Sequence, residues 1–249
     1  MDYPTTFFGW VTMLAEKYGG EFLRGTGVTL EIAILGTILG CALGFAVGLV
    51  QSITVDKHAT VFSKILTRVL KAVVAVYVEV FRGTPMMVQA MVIYYGSMSV
   101  FNLDMPSLGA GVLVLSLNTG AYMAESVRGA IGGIDPGQME GGQAIGMSYI
   151  QIMFHVIIPQ ALRNLIPQIG NTFVSAIKDT SVLNVISVTE LYFIARTVSG
   201  TYYKFFETYC IICVIYLILT FVTSRLVRLI EKLMAGSRNY ELVLEEEEA

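Results

Sequence analysis

Residues 140–161 read EGGQAIGMSYIQIMFHVIIPQA, a polar, glycine-broken stretch set between hydrophobic segments. Just upstream, Asp135-Pro136-Gly137-Gln138 supplies an N-cap carboxylate, a proline at the first helical position and a glutamine at N3, a capping-box pattern. Gly146 offers the left-handed residue that ends a helix, and Ser148-Tyr149-Ile150-Gln151 opens a second helix with its own capping box. Gly137, Gly141 and Ala144 fall at i, i+4 and i+7, so one face of the first helix is nearly bare backbone. Two short capped helices with a bare face make a surface that a partner can approach closely. They are a coupling element.

The chain around this loop has the composition of an integral membrane protein. Of its 249 residues 55% are hydrophobic and only 14% charged, against about 25% charged in soluble domains. The mean hydropathy is +0.67. The net charge of −3 owes to Glu245–Glu248; without these four the balance is slightly basic, and no broad basic surface points to nucleic acid. The N-terminus, MDYPTTFFGW, lacks a basic stretch ahead of an apolar core, so no cleaved signal peptide is expected. Cys41, Cys210 and Cys213 lie in apolar stretches, where packing rather than redox pairing is expected of the C-x-x-C. The histidines are His58 and His155, and without a His/Cys/carboxylate cluster no metal site is expected.

Five membrane spans are predicted, together forming one bundle. Residues 32–55 carry no charge and are long enough to cross the hydrocarbon core. Gly36, Gly40, Gly44 and Gly48 form a small-residue stripe there for close helix packing, against a helix that the pattern does not identify. A second helical region runs over 61–100, broken at Arg82-Gly83-Thr84-Pro85; the third span covers 107–131, the fourth 158–177 and the fifth 208–230. Lys57, Lys64, Arg68 and Lys71 after the first span, and Arg225, Arg228, Lys232 and Arg238 after the last, place the connection after span one and the C-terminal end on the cytoplasmic side by the positive-inside rule. The N-terminus is then outside and the loop inside. Residues 4–24 read as a short amphipathic segment on the outer face, and 179–207 as re-entrant or gate-forming helices.

The loop resembles the cytoplasmic EAA loop of ATP-binding-cassette importer permeases at Glu140, Gly146 and Ile158-Pro159, with Gly141-Gly142 in place of two alanines. That exchange keeps the face small but lowers helix propensity by up to about 1 kcal/mol per residue. Four further stretches are similar to the polar amino acid uptake subfamily: GVTLE at 27–31, EVFRGTP at 79–85, AESVRGA at 124–130 and IKDTS at 177–181. The resemblance covers about residues 22–235 and implies an all-α, type I importer permease of a bacterial inner membrane. Its divisions would be an extracytoplasmic segment 1–24, a transmembrane domain 25–235 with the loop at 135–160, and an acidic cytoplasmic tail 236–249. The resemblance implies no cofactor in this chain, because ATP and Mg would sit in partner ATPase subunits. Two copies of that ATPase would dock on Glu140, Gly141, Gly142, Ala144, Gly146 and Pro159. The other implied partners are a second permease copy or paralogue, an extracytoplasmic amino-acid-binding protein and a polar amino acid.

The same residues pose a chemical question of their own. Glu79 and Arg82 interrupt an apolar helix, and Gly83 and Pro85 break its hydrogen-bond ladder. Intramembrane charges are costly and face a cavity or a partner, and broken helices expose backbone groups that can hold a zwitterion. Glu79, Arg82 and Thr84, with Lys178, Asp179, Thr180 and Ser181, are therefore candidate solute residues predicted to converge on a cavity within a dimer, one per subunit or one shared. Glu79 and Asp179 would take the ammonium, Arg82 and Lys178 the carboxylate. Structural alternatives stand beside this: a Glu79–Arg82 ion pair at i, i+3, and a Lys178-Asp179 anchor for the gate segment. Glu125 and Arg128 read as a structural pair, His155 as interfacial, and Tyr94, Tyr95, Phe101, Tyr202 and Tyr203 as an interfacial aromatic belt.

An enzyme is disfavoured, since the sequence holds no G-x-S-x-G, no H-E-x-x-H and no phosphate-binding G-x-x-x-x-G-K-[ST]. A nucleotide-driven importer must then take its motor from another chain. The alternative is a self-sufficient secondary transporter of small polar solutes, a class that generally shows internal repeats and more spans. Five spans cannot enclose a solute path alone, so a dimer working by alternating access is expected.

Overall fold

The computed structural model describes residues 3–54 and 60–235. Val55, Lys57, His58, Arg238 and the acidic tail lie outside them. All the regular elements among the described residues are helical.

Helix α1 (Phe7–Ser52) is continuous over 46 residues and is capped by Thr6, whose hydroxyl accepts from Gly9 N. The separate amphipathic segment expected at 4–24 is therefore the first part of α1. Neither a proline nor a left-handed residue interrupts the stretch, and its apolar residues have a surface to bury against. Trp10, Leu14 and Phe22 pack with Leu191, Ala195 and Val198 of α8 (Leu191–Tyr202) and Ile212 of α9 (Phe205–Ala235).

The helix facing the glycine stripe is α4 (Ser107–Gly132). Gly36, Gly40, Gly44 and Gly48 lie beneath Leu115, Thr119, Met123 and Val127, one turn at a time and in the same chain direction. A Cβ built on Gly44 would stand 2.5 Å from Met123 Cβ and 2.7 Å from Gly120 O. Only hydrogen fits there, and the backbones approach as closely as small-residue packing allows. On another face of α4 packs α7 (Ile158–Asp179), antiparallel to it: Leu165 joins Met123 and Val127, while Ile177 joins Val114 and Leu115.

The region at 61–101 is two helices, α2 (Val61–Gly83) and α3 (Met86–Phe101), separated at Thr84-Pro85. Between α4 and α7 lie the short helices α5 (Pro136–Ala144) and α6 (Tyr149–Ile152). Among the described residues three helices, α1, α4 and α9, are each long and apolar enough to cross a membrane. The run from Tyr149 to Ile186 passes the same test only together with α8, from which it is bent by 54°. The region 61–101 divides between charged α2 and α3, an apolar helix of 16 residues.

Residues 180–202 fold back as a 3-10 turn (Thr180–Ile186) and α8, covered by α1, α3 and α9. Fully buried Glu190 caps α8, accepting from Tyr192 N at 3.0 Å and Phe193 N at 2.8 Å. Its carboxylate also accepts from Tyr216 Oη of α9 at 3.0 Å and Thr29 Oγ1 of α1 at 3.4 Å. Four donors satisfy a carboxylate that no cation among the described residues pairs with, and they pin three helices to one point.

Candidate functional site

Two regions carry the chemistry. In the first, Asp135 Oδ1 accepts from Gly137 N at 2.8 Å and caps α5. Gln138 does not complete the expected box: its Oε1 accepts from Gln160 Nε2 at 3.3 Å and ties α5 to α7. Gly146 has φ 83°, the left-handed conformation that turns the chain toward α6. The second box is complete, with Ser148 N donating to Gln151 Oε1 at 2.8 Å and Gln151 N to Ser148 Oγ at 3.4 Å. Helix α6 does not end there; it runs through a π-turn (Met153–Ile157) into α7. Pro159 lacks an N–H and its ring crowds the carbonyl four residues back, which a widened turn accommodates.

Of the predicted docking residues, Glu140, Gly141, Ala144, Gly146 and Pro159 are exposed. Gly142 is not. A Cβ there would lie 2.7 Å from Ile152 Cγ1, so this glycine seats α6 against α5 and faces inward. Cβ atoms at Gly141 and Gly146 would meet nothing within 4 Å.

The second region is a cavity of about 460 Å³ where the break between α2 and α3 meets α4 and α7. Thr84 and Pro85 line it from the break, Asn118, Thr119 and Tyr122 from α4, and Gln168, Asn171, Thr172, Ser175 and Asp179 from α7. Thr84 and Asp179 are thus brought together as predicted, while Glu79, Arg82, Lys178, Thr180 and Ser181 do not line this cavity. Beyond Asp179 the chain tightens into the 3-10 turn, where successive residues point about 120° apart. Thr180 is accordingly buried, donating to Ile177 O at 2.9 Å. Lys178 and Ser181 turn to a different cavity of about 290 Å³ with Tyr192, Tyr209 and Tyr216.

Glu79 and Arg82 do not pair. Arg82 Nη1 reaches Glu125 Oε2 of α4 at 3.5 Å, its guanidinium 5.6 Å from the centre of the Tyr122 ring. Glu125 also receives Arg128, the pair expected at i, i+3. Both contacts are partly solvated and each is worth at most about 1 kcal/mol. The freed carbonyls of the break are likewise not open to a solute. Buried Gln89 places its Nε2 at 2.9 Å from Phe81 O, Thr84 O and Thr84 Oγ1, and its Oε1 accepts from Asn118 Nδ2 at 3.1 Å.

The α7 residues missing from the prediction, Gln168, Asn171, Thr172 and Ser175, form with the predicted Asp179 a polar stripe that recurs every three or four positions on one face of the helix. The signal is present in the sequence, diluted by aliphatic residues on the other faces of the same helix.

Residues 59–236 match the family model described as "Binding-protein-dependent transport system inner membrane component". The probable amino-acid permease protein YxeN of Bacillus subtilis (strain 168) is 37% identical over 169 residues, 67% of this chain and 75% of that protein. The glutamine transport system permease protein GlnP of Escherichia coli (strain K12) is 39% identical over 163 residues, 65% of this chain and 74% of that protein. A solved structure described as an amino acid ABC transporter with histidines superposes with a TM-score of 0.78 at 34% identity, covering 92% of this chain and 99% of the other.

Proposed function

The chain belongs to the inner membrane components of binding-protein-dependent transport systems, and from that premise we propose that it is the permease subunit of an ATP-driven importer of polar amino acids. The observation that carries the substrate assignment is the cavity at the helix break, lined by amides and hydroxyls around one carboxylate, Asp179. Beside the apolar Met86 and Val182, these polar groups suit a small zwitterion. A second copy or a paralogue completes the path, and an extracytoplasmic binding protein delivers the solute.

Helices α5 and α6 are the handle for two separate ATPase subunits, which hold the ATP and Mg. A partner contacts the exposed side of α5 at Glu140, Gly141 and Ala144, and the turn at Gly146 sets the angle to α6. Because α6 continues into α7, a push on the loop is transmitted along the helix that carries Gln168, Asn171, Ser175 and Asp179. Handle and solute stripe are one piece of chain. ATP-driven approach of the ATPases rocks the bundles to face outward, and hydrolysis resets them.

Uptake into proteoliposomes holding the complete transporter tests this. Asp179→Asn should lower uptake at least about tenfold, equivalent to about 1.4 kcal/mol, with an unchanged melting temperature. Wild-type uptake by both Asp179→Asn and Asn171→Leu would reject the cavity as the solute site.

A further inference from the structure

The cavity lining differs from what a charged solute needs, and the difference is countable. Asp179 is the sole formally charged residue lining it, and its carboxylate has no hydrogen bond or ion pair among the described residues. Lys178, its sequence neighbour, faces the other cavity, and Arg82 is engaged by Glu125. Gln168 and Asn171 stand about one turn apart on α7, and neither side chain makes a hydrogen bond among the described residues. Ser175, one turn further toward Asp179, is unengaged as well. Each free amide presents both a donor and an acceptor.

We infer that this cavity selects amino acids whose side chain is uncharged and hydrogen-bonding, of the carboxamide type, over both cationic and anionic ones. The inference rests on the proposed solute site and names its chemical class. The α-ammonium takes Asp179, the one carboxylate available. The α-carboxylate, left without a lining cation, is held by neutral N–H and O–H donors. A side-chain amide then meets Gln168 and Asn171 with matching donors and acceptors. A guanidinium or ammonium side chain has donors only; it leaves the two lining NH₂ groups unmatched and brings a second positive charge to a single carboxylate. An acidic side chain adds a second negative charge beside Asp179 with no lining cation to offset it. Sites built on polar pairing discriminate strongly against ligands that leave their groups unpaired.

The test is equilibrium binding to the chain assembled with its ATPase in lipid nanodiscs, with the binding protein omitted so that the permease alone selects. Radiolabelled glutamine is competed with asparagine, arginine, lysine and glutamate. Asparagine should compete well, and arginine, lysine and glutamate at least about tenfold more weakly than unlabelled glutamine. Asn171→Asp, which supplies a second carboxylate, should shift the preference toward arginine and lysine by at least about tenfold, whereas Asn171→Gln should not. Tighter binding of arginine, lysine or glutamate than of glutamine, with Asp179→Asn still weakening it, overturns the inference and leaves the site in place. Binding that Asp179→Asn leaves unchanged, or no binding of any of these amino acids, overturns the site and the inference together.

Discussion

The chain has two glycine-rich regions that look alike in sequence and work in opposite ways. At Gly36, Gly40, Gly44 and Gly48 the missing side chains let α4 lie against α1 at backbone distance. At Gly141 and Gly146 they leave open space. The first set is saturated by its own chain, whereas the second leaves unfilled the exposed face of a short helix and the turn that follows it. Glycine spacing alone does not separate the two; the surroundings do. Apolar residues flank the first set over more than four turns, while capping residues and polar side chains bracket the second within nine residues of α5.

The sharpest way to break the comparison is Gly44→Leu. Its Cβ would fall within 3 Å of Met123 Cβ, Gly120 O and Ala124 N, two of them backbone, so the seam must open. A loss of at least about 3 kcal/mol is expected, read as absent monodisperse protein on detergent gel filtration. A normal melting curve would show that the seam is looser than its geometry states. Next comes Gly142→Leu, which meets only the movable Ile152 side chain; about 1–3 kcal/mol is expected, confined to α5 and α6. Hydrogen exchange should rise there and stay constant in α1 and α4.

Gly146→Val forces a β-branched residue to φ 83°, at about 1–2 kcal/mol. The spans should melt at the wild-type temperature while ATPase co-purification falls. The smallest effect belongs to Gly141→Ala, which gains up to about 1 kcal/mol of local helix propensity and clashes with nothing in this chain. Firmer helicity together with weaker ATPase capture would identify this bare face as the docking surface; unchanged capture would move docking to another side of α5.

The loop was legible from the sequence because capping and turn chemistry are local: Asp135, Gly146 and Ser148-Gln151 act within a few residues of themselves. Gln138 departed from its expected role because Gln160, distant in sequence, offered a partner. The glycine stripe was equally plain, but its partner was not, since several spans present an apolar face and only the matched register with α4 distinguishes one. At the cavity, sequence reasoning weighted formal charge, and of the four charged candidates only Asp179 lines it. Arg82 is drawn off by Glu125, and Lys178, next to Asp179 on α7, stands about 100° round the helix from it and faces the other cavity. The neutral stripe on α7 needed only its period to be counted. The N-terminal helix was divided too early because its contacts with α8 and α9 lie about 180 residues away.

Gln89 gives the break at Thr84-Pro85 a mechanical character. A bare interruption in a helix is a joint: its unpaired carbonyls let the two halves swing at small cost. Here one buried amide bridges both sides of the gap, gripping Phe81 and Thr84 with its nitrogen and Asn118 with its oxygen. To bend this corner would strip several hydrogen bonds at once. The corner is a bracket and not a joint, so α2, α3 and the Thr84 rim travel with α4 as one stiff frame. The compliance that a transport cycle requires must then reside elsewhere in the chain.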